Sequence, residues 1–119
     1  MASPQGFLDS HDDGDCPAEL ALQVMRGRWK VLILRELADG IRRFSALRRA
    51  LEGISEKVLA SQLRELEQAG VVHREVYPEV PPRVEYSLTA KGNDLIPVLE
   101  GLHGWWVGRE TAPGPSKGE

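Results

Sequence analysis

Between residues 45 and 88 the chain is punctuated at intervals so short that few folds can use it. A helical pattern from Ser45 to Leu51, with Leu47 and Leu51 turned inward, meets the break Glu52-Gly53-Ile54. Ser55 then caps a second helical segment that runs to Ala69, with Gly70 as its stop. Two alternating stretches follow, Val71 to Tyr77 and Arg83 to Leu88. The run Pro78-Glu79-Val80-Pro81-Pro82 between them must loop, because proline cannot donate to a strand ladder. Two helices around a tight glycine turn, followed by a hairpin, predict a helix-turn-helix with a wing.

The flanks supply more helix. Cys16-Pro17 opens a first one, since proline at the first helical position loses no hydrogen bond and presets φ. Leu20 and Val24 share a face, and Gly27 ends the segment. Trp29 to Leu37 is apolar almost all round, as in a helix packed on several sides. Asp39-Gly40 is a turn, Ile41-Arg42-Arg43-Phe44 reads as a short strand, and Ser45 is the expected cap of the third helix. Thr89 caps a last helix to about Arg109, with Pro97 inside it as a kink or a lost hydrogen bond. Leu95, Leu99, Leu102 and Trp106 recur along one stripe of that helix, at i, i+4, i+7 and i+11. Residues 1–15 and 111–119 are rich in Gly, Ser, Pro and charge and read as disordered tails. The expectation is one mainly α domain over 16–110 with a small β-hairpin wing.

Composition fits such a domain and removes other classes. The chain has 119 residues, 41% hydrophobic and 28% charged. Its one cysteine forms no internal disulfide framework and suits a reducing cytoplasm. The run Val31-Leu32-Ile33-Leu34 is far too short to span a bilayer, and the N-terminus lacks a basic-then-apolar signal pattern. The formal net charge of −3 conceals an asymmetry. Residues 1–25 carry five acids and no Lys or Arg, whereas residues 26–91 carry thirteen basic residues against nine acids. The centre is where a polyanion would bind.

Projected at about 100° per residue, the fourth helix puts Leu59, Leu63 and Leu66 on one side. Lys57, Ser61, Arg64 and Gln68 fall opposite, with Ala60 beside them. Cation, hydroxyl, guanidinium and amide are the groups that read base edges in a major groove. The plainer reading is that every amphipathic helix has a polar outside. Ser55 and the free N–H groups behind it suit a phosphate. Arg42, Arg43, Arg48 and Arg49 lie within eight residues, with Arg26, Arg28 and Lys30 just upstream, and phosphates would offset their repulsion. Arg83 beside the proline loop is placed to enter the adjacent minor groove. Catalysis and metal binding find no support: His11, His73 and His103 have no ligand spacing, and no phosphate loop, CxxC or Ser/His/Asp cluster occurs. No cofactor is expected.

From Cys16 to about Trp106 the chain resembles the HxlR-type family of bacterial winged helix-turn-helix transcriptional regulators. The resemblance is carried by Cys16-Pro17, Gly27-Arg28-Trp29-Lys30, the segment from Leu32 to Leu37, Arg43-Phe44, Gly53-Ile54-Ser55, Lys57-Val58-Leu59, Leu63-Arg64-Glu65-Leu66, Gly70-Val71-Val72 and Gly92. Above all it is carried by Pro81-Pro82-Arg83-Val84-Glu85-Tyr86-Ser87-Leu88-Thr89. Most such proteins have Thr or a similar residue where this chain has Ala60, which bears on base preference. The resemblance implies a homodimer in which first and last helices pair, and in which the fourth helix enters the major groove. Several members use a cysteine just before the first helix as a thiol sensor. Cys16 has that place, and a helix N-terminus favours a thiolate, while Asp12, Asp13 and Asp15 oppose a second anion.

The reading is a cytoplasmic, homodimeric regulator of double-stranded DNA with a pseudo-palindromic operator. The recognition helix spans about 55–69 and the wing about 77–84. Lys57, Ser61, Arg64 and Gln68 read bases, Ser55, Arg42, Arg43 and Arg48 hold phosphates, and Arg83 serves the wing. Leu95, Leu99, Leu102 and Trp106 form the dimer interface, and Cys16 is either the sensor of a thiol-reactive or other small effector or a structural capping thiol. The alternative is a winged-helix module that binds a protein instead of DNA.

Overall fold

The computed structural model describes residues 16–111, with side chains through residue 108. The expected tail 1–15, with Asp12, Asp13 and Asp15, lies outside the described residues, as do residues 112–119 of the expected tail 111–119, whose first residue, Thr111, is helical. In chain order the elements are α1 (Pro17–Val24), α2 (Lys30–Ala38), β1 (Arg42–Arg43), α3 (Phe44–Ala50), α4 (Glu56–Gln68), β2 (Val72–Tyr77), β3 (Arg83–Leu88) and α5 (Ala90–Thr111). The strands form one antiparallel sheet in the order β1-β3-β2. This is a winged helix-turn-helix, with the β2–β3 hairpin as its wing.

The core is built mainly from aliphatic side chains that the helical period puts on facing sides. Ile33, Leu34 and Leu37 of α2, Leu47 of α3, and Leu59, Leu63 and Leu66 of α4 interlock with Val71, Val72, Tyr86 and Leu99. Leu51 and Ile54 close the turn between α3 and α4 from inside. Gly53 between them has φ +91°, a conformation that glycine adopts without strain. That glycine lets the chain reverse in so few residues.

Three local expectations are corrected. Arg42 and Arg43 alone form β1, pairing with Tyr86 and Glu85, and Phe44 already begins α3. Ser45 therefore lies inside the first turn, and Arg43 occupies the cap position with no side-chain cap bond. Strand pairing holds the chain extended up to residue 43, so the helix starts one step before the better capping residue. Lys30 is not one of the cations left free for phosphates: it is buried at the start of α2. The last helix continues through Pro97 to Thr111, past the expected end.

Gly92 explains how α5 docks. A methyl group on its α-carbon would lie 2.1 Å from the Val71 carbonyl oxygen. The first turn of α5 thus rests directly on backbone, and only glycine fits. Thr89 ties the same junction: its hydroxyl donates to Gly70 O at 2.6 Å and accepts from Gly92 N at 3.0 Å.

Candidate nucleic-acid interface

The polar outside of α4 is set by its buried inside. Leu59, Leu63 and Leu66 have almost no exposure, which makes their side the inside of the helix and leaves Lys57, Arg64 and Gln68 outward. Ser61 is half-buried on the same face. The four expected base-reading side chains are brought together over three turns. Ser55 caps the helix as expected, its Oγ accepting from Val58 N at 3.1 Å. That bond uses a lone pair and leaves the hydroxyl hydrogen to donate to a phosphate, which would also meet the acid that Glu56 supplies to the first turn.

The flanking arginines differ in freedom. Arg48 of α3 pairs with Glu56 of α4 at 3.2 Å, and Arg42 lies 4.0 Å from Glu36 while donating to Ile41 O at 3.2 Å. Arg43 and Arg49 are exposed and make no ion pair among the described residues. Exposed pairs are worth about 0–1 kcal/mol, so a phosphate can displace the carboxylates at small cost.

Arg83 is held within the wing. Its guanidinium bonds Glu85 at 2.8 Å and Glu79 at 2.9 Å, and stacks 3.8 Å above the Tyr77 ring. Tyr77 is its register partner across the hairpin. A planar guanidinium satisfies two carboxylates and an aromatic face together, which an ammonium cannot. The arginine fastens both ends of the loop containing the cis Val80–Pro81 peptide. It points into the wing's own network before any groove.

Two further contacts hold α4, and neither was legible in the sequence. Lys30 forms an ion pair with Glu65, 35 residues away and on another element. The hydrogen bond from Lys30 holds the Glu65 carboxyl below its ordinary range, helped by the Lys30 charge and then by Arg26 and Arg64, with desolvation opposing. At the far end, Lys91 Nζ donates to Ala69 O at 3.1 Å and Thr89 to Gly70 O, so α5 satisfies carbonyls where α4 stops.

Cys16 caps α1 through its carbonyl, which accepts from Leu20 N at 3.0 Å; its half-buried thiol makes no capping bond. None of α1's residues is buried. The expected stripe on α5 divides: Leu99 is buried and Leu95 packs on the core, whereas Leu102 and Trp106 are exposed. Among the described residues no His, Cys, Asp or Glu cluster could hold a metal, and no helix is long and apolar enough to cross a membrane.

The sequence model of the HxlR-like helix-turn-helix family matches residues 24–112, which includes every element from α2 onward. The chain belongs to that family. Among similar chains, one from Methanothermobacter thermautotrophicus, described only as an HTH-type transcriptional regulator, is 49% identical over 79% of this chain and 72% of its own. YdeP of Bacillus subtilis, described likewise, is 47% identical over 84% of this chain and 79% of its own. Two solved structures extend the likeness to the fold. The reduced form of the redox regulator HypR superposes with a TM-score of 0.74 at 43% identity, covering 80% of this chain and 94% of that one. The reduced form of the transcriptional regulator YodB from B. subtilis gives 0.71 at 35% identity, covering 96% and 99%. The HxlR-like architecture thus accounts for the helix-turn-helix and the wing, and its known relatives are transcription regulators.

Proposed function

We propose that this protein is a homodimeric, sequence-specific regulator that binds double-stranded DNA in the cytoplasm, with α4 in the major groove and the wing at the adjacent minor groove. The observation that carries this reading is the polarity of α4: three leucines sealed in the core, with Lys57, Ser61, Arg64 and Gln68 opposite. Those four side chains read bases, and Ser55, Arg42, Arg43 and Arg48 meet phosphates. Arg83 shapes the wing and reaches phosphate only by leaving Glu79. Two-fold symmetry calls for a pseudo-palindromic operator with half-sites about 10 base pairs apart, or a multiple. The test is in vitro selection from random duplexes followed by affinity measurement. Enrichment of a symmetric site supports the reading. Absence of binding even to random duplex at low salt would favour a protein-interaction module instead.

Cys16 is the proposed entry point for a thiol-reactive effector. Its half-buried thiol stands at the N-terminus of α1, and likeness to a redox regulator solved in reduced and oxidised forms supports the assignment. With no second cysteine in the chain, the chemistry is adduct formation, a mixed disulfide with a small thiol, or a bond between two subunits. Operator affinity before and after quinone or diamide, for the natural chain and Cys16→Ser, tests it. A loss confined to the treated natural chain is expected; four equal affinities would make Cys16 structural.

A further inference from the structure

Lys30 and Glu65 lie outside the set of groups assigned to DNA, yet they join α2 to the reading helix. Lys30 is the first residue of α2 and its side chain is only 11% exposed, while Glu65 is half-exposed. A buried ammonium is costly unless a carboxylate meets it, and Glu65 is that partner. Around α4, Glu65 stands about 40° from Ser61 and about 60° from Gln68, at the rim of the polar face. A carboxylate left free at that rim would face phosphates.

We propose that Lys30 is a positioning residue for DNA reading, which draws Glu65 back from the rim of α4, cancels its charge and fixes the helix's rotation. The proposal rests on α4 being the reading helix. Core packing alone leaves some freedom of roll, because Leu59, Leu63 and Leu66 form a smooth aliphatic stripe. A directional ion pair on one flank removes it. Arg26, in the linker before α2, adds positive charge around Glu65. Lys30 directly follows Gly27-Arg28-Trp29, so the segment leaving α1 ends at the residue that grips α4.

The experiment uses the full chain, a selected duplex and a random duplex, with Lys30→Met, Glu65→Gln and the double variant. In Lys30→Met one uncompensated carboxylate per subunit offsets about one phosphate contact, so affinity falls about eightfold per subunit at 0.1 M salt. Adding Glu65→Gln removes that carboxylate and restores random-duplex affinity to within about twofold of the natural chain, while selected-site affinity stays about threefold or more below it because no ion pair fixes the helix's rotation. A purely structural lysine predicts a loss that the second substitution does not relieve. Unchanged binding by Lys30→Met, or a double variant no tighter than the single, overturns the proposal. Should Lys30→Met not fold, the double variant decides, since it leaves neither a buried unpaired ammonium nor a free carboxylate. Freed rotation then lowers the ratio of selected-site to random-duplex affinity by about threefold or more, and an unchanged ratio overturns the proposal. Failure of the DNA reading itself is seen separately: the unaltered protein would bind neither duplex, and the positioning role would fall with it.

Discussion

Arg64 and Arg48 carry the same charge on adjacent helices, and their surroundings separate their roles. Arg64 projects from the middle of the polar face of α4, whereas Arg48 sits on α3 against Glu56. Arg64→Ala should cost about 1–3 kcal/mol of operator affinity and relax preference at one base position, while Arg48→Ala should weaken all sequences alike. Equal, sequence-independent losses would show that α4 does not read bases. Arg83→Lys keeps the charge but forfeits the fork and the stacking, so the wing should lose about 1 kcal/mol of stability in urea unfolding. Glu65 gives a pH signature. Its folded pKa lies below the usual 4.5, so its stabilising contribution is fully present above 4.5 and is lost as pH falls through the lower folded value. The stability difference between the natural chain and Glu65→Gln should therefore be constant above pH 4.5 and shrink below it, as followed by urea midpoints. At this scale the sequence was legible for residues whose role follows from local period: Lys57, Ser61, Arg64 and Gln68 share a face because α4 is helical. It was silent on partners fixed only by folding. No spacing rule links Lys30 to Glu65, and the strand period that puts Arg83 and Glu85 on one face does not bring in Glu79 from the loop.

Element boundaries show the same division between local and tertiary causes. β3 matches the expected Arg83 to Leu88, and α4 keeps its Ser55 cap, because Pro82, Gly53 and Gly70 mark these limits within the local chain. The start of α3 does not follow from local capping preference, since pairing of Arg42 and Arg43 with β3 decides where the helix can begin. Gly92 lies between these cases. The sequence marks it only as part of a family pattern, while its physical reason is the Val71 carbonyl beneath it. Gly92→Ala should cost about 2–4 kcal/mol, because backbone cannot step aside as a flexible side chain would. Urea unfolding would measure this, and a near-neutral substitution would mean that α5 can slide on β2. Such a slide would also disturb α4, whose last carbonyls are bonded by Thr89 and Lys91.

A lone subunit leaves much apolar surface uncovered on α1 and α5. Leu20 and Leu22 on one helix, with Val98, Leu102, Trp105 and Trp106 on the other, are 46 to 60% exposed. Large exposed apolar patches mark interfaces, and a two-fold pairing of these helices would bury them while presenting two copies of α4 to one side of a duplex. Leu102 and Trp106 are suited to a test because, unlike Leu95 and Leu99, they add little to the core of the subunit itself. Leu102→Glu with Trp106→Glu should leave a folded subunit, by circular dichroism, that sediments as a monomer. The same substitutions should change the electrostatics of binding in a calculable way. Four phosphate contacts per subunit give a dimer about eight, and log K should fall with log [salt] at a slope of about −7. The monomeric variant keeps one set and should show about half that slope, −3.5, with affinity for the paired site reduced to that for a single half-site. A slope near zero in the natural chain would remove DNA from the account. An unchanged slope in a proven monomer would show that one subunit makes all the phosphate contacts and that symmetry has no part in recognition.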